Sequence, residues 1–179
     1  TLRRQRQMCI RDRDMTLENK IFSIWLIGPS ASGKKTIGKL LYKKIKSNKN
    51  IVMINGDQMR SLYENNLGYD KISRSKNTWR YINLVNWLMS FNISSIVSVI
   101  SPFEEDRQSC RSKIKHYFEI YLKCSRDERI RRDTKKLYVP AINGKKKNVV
   151  DVDIPFDKPI NCDMQIDTDC LLYTSDAAD

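Results

Sequence analysis

Gly28-Pro29-Ser30-Ala31-Ser32-Gly33-Lys34 narrows the fold more than any other stretch of this chain. It fits G-x-x-x-x-G-K and stands between the apolar run IFSIWLI at 21–27 and a stretch at 33–47 that carries Ile37, Leu40, Leu41 and Ile45 at helical spacing. A nearly continuous apolar run that ends at Gly-Pro reads as a strand buried on both faces of a parallel sheet. A turn from such a strand into a helix aims successive backbone N–H groups and the helix N-terminus at one point, which makes a nest for phosphate. Lys34 adds a point charge for β- and γ-phosphates.

The rest of the pattern agrees with that start. IVMIN at 51–55, SSIVSVI at 94–100, YFEIYL at 117–122 and a short segment at 164–166 supply four more strands. Tyr81, Ile82, Leu84, Val85, Leu88 and Met89 make 73–90 a long helix, Glu104-Glu105-Asp106 suits a helix N-terminus, and 126–133 reads as a short polar helix. Residues 134–159 hold three prolines, Gly144 and Lys145-Lys146-Lys147 with little periodicity, and read as a mobile loop or lid. This alternation predicts an α/β fold, a three-layer α/β/α sandwich with a parallel five-stranded sheet, right-handed crossovers and a ligand at the strand carboxyl ends.

With 179 residues the chain is long enough for one domain with a proper core. Lys and Arg number 33 against 21 Asp and Glu, so an anionic partner is expected. No apolar run reaches the roughly 18 to 20 residues of a membrane span, and the start lacks the apolar core of a signal peptide, so a soluble cytoplasmic protein is expected. The five cysteines are scattered without C-x-x-C spacing, and lone His116, at an apolar strand start, reads as structural. Residues 1–14 and the tail 171–179 (LLYTSDAAD) differ in composition from the rest, and MCIRDR and LYTSDAAD resemble translated sequencing-adapter read-through. Both ends are expected to be foreign or disordered, leaving 15–170 as the domain. The basic cluster at 126–147 lacks the interleaved aromatics of nucleic-acid binders. A charged lid over nucleotide phosphates accounts for it better, with a small nucleotide as partner and neither nucleic acid nor membrane.

Downstream of the loop, several blocks together resemble the adenylylsulfate kinase family, P-loop kinases that use ATP to phosphorylate the ribose 3′-hydroxyl of adenylyl sulfate in sulfate activation. They are Asn55-Gly56-Asp57-Gln58-Met59-Arg60, then Leu67-Gly68-Tyr69 with Arg74 and Asn77, then Ile100-Ser101-Pro102-Phe103, then Arg132-Asp133-Thr134-Lys135-Lys136-Leu137-Tyr138, and finally Lys147-Asn148 with Asp153, Pro155 and Phe156. The resemblance spans about 21–169 and implies ATP and Mg²⁺ as cofactors and a homodimer. Gly28 through Lys34, with Lys35, Thr36 and Arg132, would bind ATP, Arg132 by stacking on adenine. Asp57, at a strand end facing the loop, suits a group that accepts or orients the acceptor proton, with a helix N-cap as its ordinary alternative. Lys34 and Ser101 complete the catalytic set; Ser101 matches a serine the family treats as a possible phosphorylated intermediate. Arg60 and Arg74 can fork onto acceptor oxygens, Asn77 can hydrogen-bond them, and Tyr69 offers a flat face to the acceptor base. Ile100, Lys135, Asn148 and Val149 complete the acceptor side.

The sequence also departs from that family. Lys35 stands where the pattern has a Ser or Thr metal ligand, and an ammonium cannot ligate Mg²⁺. Thr36 is turned about 100° away on a helix and cannot simply replace it. Mg²⁺ held by water and nucleotide oxygens, weakened catalysis, and an erroneous residue all remain open, so the metal ligands are unknown. Asn55 replaces an aspartate, Val149 replaces a phenylalanine that faces the aromatic at Tyr69, Val139-Pro140 and Ile142 replace a basic stretch, and Asp151 replaces a glycine. Two further functions therefore stand beside adenylyl sulfate phosphorylation. One is a cytidine diphosphoramidate kinase of capsule modification, whose smaller base tolerates the loss of the phenylalanine. The other is a catalytically weak nucleotide-binding protein.

Overall fold

Strands β1 (Ser23–Ile27), β2 (Ile51–Asn55), β3 (Ser94–Val99), β4 (Tyr117–Lys123) and β5 (Met164–Asp167) all pair in parallel, in the order β2-β3-β1-β4-β5. The computed structural model describes residues 20–169, so the expectations for 1–14 and 171–179 lie outside the described residues. Between the strands run α1 (Lys34–Ile45), α2 (Gly56–Leu62), α3 (Lys71–Ser90), α4 (Glu104–Lys113), α5 (Arg126–Arg131) and α6 (Tyr138–Ile142).

The alternation of β1 sets the layers. Trp25 and Ile27 face Tyr81, Ile82, Val85 and Leu88 of α3 and Cys110 of α4, whereas Phe22 and Leu26 face Ile37, Leu41 and Ile45 of α1. The β1-to-β2 step runs one way across the sheet, and the next two steps run back. Right-handed crossovers require the helices to change face when the direction reverses, which puts α1 opposite α3 and α4. The result is the expected α/β/α sandwich.

Helix α1 rides close on the sheet. A Cβ at Gly38 would lie 2.8 Å from Ser98 Oγ and 2.9 Å from Met53 Cε, so only glycine lets the helix settle there undisturbed. Leu40, read as part of the apolar face, is instead 54% exposed on the outer side.

Three local differences from the sequence reading have physical causes. Helix α2 directly follows β2 and is closed by a capping box: Asn55 accepts from the Gln58 N–H while the Gln58 side chain accepts from the Asn55 N–H. His116 lies in an exposed turn before β4 rather than in the strand, at φ 53°, with its carbonyl taken by the Ser23 N–H. Segment 134–159 is not a free loop, because it contains α6 and buries Tyr138, Val149, Val150 and Ile154. Aperiodic sequences still fold against a neighbour when scattered apolar side chains find separate pockets. Among the described residues, no helix is long and apolar enough to cross a membrane.

Candidate active site

The phosphate loop leaves β1 at Gly28 and enters α1 at Lys34, as its position between strand and helix requires. Gly33 caps α1 in the left-handed region, φ 85°, which favours glycine over any residue with a Cβ. The loop is tied to its neighbours through the backbone: the Gly28 N–H donates to the Ile100 carbonyl (3.3 Å), and Thr168 Oγ1 donates to the Ser32 carbonyl (3.3 Å). Lys34 Nζ folds back onto the Gly28 (2.8 Å) and Pro29 (2.5 Å) carbonyls. Desolvation, then the nearby positive charges of Arg129 and Lys135, lower its pKa to about 7. Such a loop, with an ammonium and a helix N-terminus converging on its mouth, fits a polyphosphate.

The same residues do not fit a directly ligated Mg²⁺. Lys35 and Thr36 are both exposed on α1, and the Asn55 amide is engaged in the capping box. Among the described residues, no group of three or more His, Cys, Asp or Glu is arranged to hold a metal ion. Asp57 remains as the carboxylate at the strand end.

Asp57 sits in the first turn of α2 and is not the helix cap, which is Asn55. Its carboxylate is exposed and receives both bonds of a Lys135 ammonium at 2.8 and 2.9 Å, across a sequence separation of 78. Lys135 therefore borders both Asp57 and, through its field at Lys34, the phosphate loop.

A second cluster is built around Tyr69. Arg60 stacks on the ring at 4.0 Å and donates to the Leu67 and Gly68 carbonyls, while Arg74 lies 5.7 Å from the ring and donates to the Tyr69 and Asn148 carbonyls. Burial first, and the adjacent Arg60 charge second, pull Arg74 down to about 10. Two guanidiniums this close leave a positive field that an anion would relieve. One face of Tyr69 is thus already covered by Arg60.

Val149 packs inward. It is buried with Tyr138 and Ala141 against Ala31 of the phosphate loop, Ile130 and Leu137. Ile100 packs with Phe103, Val150 and Ile154, and its carbonyl holds the loop. Ser101 and Asn77 share an uncommon property: Ser101 Oγ and Asn77 Oδ1 are buried without a hydrogen-bond partner. Ser101 also has a left-handed backbone, φ 45°, and its carbonyl is held by buried Arg107 at 2.7 Å. Arg132 is mostly buried, with its guanidinium on the Thr168 and Asp169 carbonyls and beside Glu128.

Sequence reasoning passed over Arg129 and Tyr138 as site elements. Buried Arg129 donates to Tyr138 Oη (2.8 Å) and to Asp151 Oδ2 (2.5 Å), and Tyr138 Oη donates to the Ser30 carbonyl in the phosphate loop (2.9 Å). An Arg in a polar hexapeptide gives no signal of burial, although the left-handed tolerance of Asp at the position of a family glycine hinted at Asp151.

A doubly wound parallel sheet with this loop at its carboxyl edge defines a P-loop nucleotide-binding protein. The sequence profile of the family described as Adenylylsulphate kinase matches residues 20–167, and the chain belongs to that family. It is 38% identical over 155 residues to the cytidine diphosphoramidate kinase of Campylobacter jejuni, covering 86% of this chain and 90% of that protein. It is 36% identical over 161 residues to the adenylyl-sulfate kinase of Thermodesulfovibrio yellowstonii, covering 88% and 80%. Among solved structures, the Mycobacterium tuberculosis APS kinase CysC in complex with AMPPNP and APS superposes with a TM-score of 0.78 at 26% identity, covering 84% of this chain and 90% of that one. The protein is accordingly a kinase that transfers phosphate to a hydroxyl group.

Proposed function

We propose that the chain moves the γ-phosphoryl group of ATP to the ribose 3′-hydroxyl of a nucleotide, with adenylyl sulfate as the acceptor. The contact that supports this most directly is Lys135 on Asp57, because it brings segment 134–159 to the carboxylate that lies across from the phosphate loop. ATP supplies the phosphoryl group and ADP as leaving group. Asp57 takes the 3′-hydroxyl proton as the oxygen–phosphorus bond forms, once Lys135 shifts from the carboxylate toward phosphate oxygens. Lys34 leaves its loop carbonyls for the phosphates. Arg60 and Arg74 neutralise the acceptor's anionic group, and the unpaired Ser101 Oγ and Asn77 Oδ1 are free to bond ribose or its substituents. Segment 134–159 acts as the lid, Arg132 flanks the adenine, and Lys135 and Asn148 close on the acceptor. Mg²⁺ accompanying the nucleotide would find no hydroxyl ligand directly after Lys34, where Lys35 stands. The protein works in the cytoplasm as a homodimer on a small nucleotide, without nucleic acid or membrane.

A second reading is favoured by one observation. Val149 is packed inward and Arg60 covers one face of Tyr69, so the base site is held from one side only. A cytosine needs less stacking area than adenine, which favours cytidine diphosphoramidate as acceptor. A coupled ADP-release assay with each acceptor at saturating ATP and Mg²⁺ separates the two, and no turnover of adenylyl sulfate removes the first. ATP binding without ADP release on either acceptor would instead identify a weak nucleotide-binding protein.

A further inference from the structure

Segment 134–159 is held over the phosphate loop by a buried chain of contacts from α5. Arg129, on α5, is 4% exposed and spends its donors on four groups: Nε on the Cys124 and Ser125 carbonyls, one terminal nitrogen on Tyr138 Oη and the other on Asp151 Oδ2. Tyr138, fully buried, passes the contact on to the Ser30 carbonyl. Asp151 is tied at a second point, where Arg126 donates to its carbonyl at 2.6 Å. Its backbone is in the left-handed region at φ 68°, a conformation that Asp and Asn tolerate and most other residues resist. A charged residue is thus held in an uncommon conformation so that its carboxylate can meet a buried guanidinium.

The consequences reach the acceptor side. Two residues before Asp151, the Val149 carbonyl accepts N–H bonds from Val152, Asp153 and Ile154, and Asp153 Oδ1 and Oδ2 receive the Val149 and Asn148 N–H groups. The Asn148 carbonyl in turn holds Arg74. One tight turn therefore carries both the Asp151 anchor to Arg129 and the Asn148 anchor to Arg74. Arg129 also lies near enough to Lys34 for its charge to lower the lysine's pKa.

We infer that Asp151 and Arg129 are positioning residues that latch segment 134–159 onto the phosphate loop and thereby fix Arg74 and Lys135 for the acceptor. The inference rests on the kinase reading only for the word acceptor; the latch itself is a property of the fold. Removing the carboxylate frees the turn to drift, so Arg74 loses its Asn148 carbonyl and Lys135 its register on Asp57, while the loop amides and Lys34 stay where β1 and α1 put them.

Asp151→Asn tests this, because asparagine keeps the left-handed preference and the size but loses the charge. Amide hydrogen exchange on the nucleotide-free protein is expected to quicken about tenfold or more across 138–154, with β1 and β3 unchanged. Unchanged exchange in 138–154, or equal acceleration in the central strands, overturns the latch. In steady state, KM for the acceptor is expected to rise about tenfold while the dissociation constant for AMPPNP changes less than about twofold. An equal loss of both affinities would show general loosening and also overturn it. If Asp151→Asn leaves Arg129 so poorly compensated that the chain unfolds, Tyr138→Phe removes only the hydroxyl at the other joint and is read in the same way. The double variant with Asp151→Asn is expected to be no worse than the more affected single variant, as for two links of one chain. Should neither nucleotide be phosphorylated, the kinase reading fails on turnover, while the exchange experiment still reports on the latch.

Discussion

The phosphate loop and the cleft around Tyr69 and Asp57 both handle anions, yet they are held together by different means. The loop is made of backbone: seven consecutive residues between one strand and one helix, pinned by a main-chain bond to Ile100 and by the Thr168 hydroxyl on the Ser32 carbonyl. The cleft is made of long side chains from distant segments, with Lys135 reaching Asp57, Arg60 and Arg74 flanking Tyr69, and Asn148 steadying Arg74. A backbone site costs little to preorganise and tolerates change in its side chains. A side-chain site can be retuned by single substitutions, and it depends on segment 134–159, which carries Lys135 and Asn148.

The largest expected effect tests the chemistry that joins the two regions. Asp57→Asn keeps the size of the side chain and one acceptor for Lys135 but removes the charge and the base, and kcat is expected to fall by about 10³-fold with ATP affinity intact. Measured kcat within tenfold of the parent would place the proton elsewhere and dissolve the division of labour between loop and cleft. Arg74→Lys comes next. It retains the charge but cannot hold the Tyr69 and Asn148 carbonyls and an acceptor oxygen together, so KM for the acceptor is expected to rise by about 10 to 50 fold. An equal rise in KM for ATP would show that donor and acceptor sites are not separable.

How much of this was legible in the sequence follows the same division. The loop could be read because its donors are contiguous and its glycine spacing encodes the turn. The layers could be read because β1, β2 and β4 are largely apolar, whereas β5, Met164-Gln165-Ile166-Asp167, is short and half polar. Asp57, Arg60 and Arg74 were legible only through the family's spacing, since an Arg in isolation reads as a solvated charge. The ion pair to Lys135 spans 78 positions, and no local rule announces it. Val149 stands where the family has a phenylalanine, and its burial in the cluster around Tyr138 is decided by packing that no local rule announces. Helix α2 did have a local signal, Asn55 followed three residues later by Gln58.

The donor side carries a pH signature that the acceptor side lacks. In the free protein the Lys34 pKa is lowered to about 7, chiefly by desolvation. Anionic phosphates favour the charged form and raise that value in the complex. Binding therefore takes up a proton between pH 7 and the higher bound value, and ATP affinity is expected to fall by up to about tenfold per pH unit above 7. Calorimetry in two buffers of different ionisation enthalpy, at pH 8, reads the proton directly. No uptake at pH 8 would mean that Lys34 is already charged when free.

Lys35→Thr should produce the smallest change, and it separates two roles for a residue that the phosphate-binding pattern does not want. Lys35 is exposed at the start of α1, so its ammonium acts on bound phosphates through solvent. A single exposed charge of that kind is worth about 1 kcal/mol or less. Without divalent cations, ATP affinity is expected to drop by about two- to fivefold on substitution, and the difference should disappear at high salt because screening removes it. If kcat with Mg²⁺ instead rises by an order of magnitude or more in the threonine variant, the parent is a kinase weakened by a missing ligand. The loop would then be less forgiving of its side chains than a site made of backbone should be.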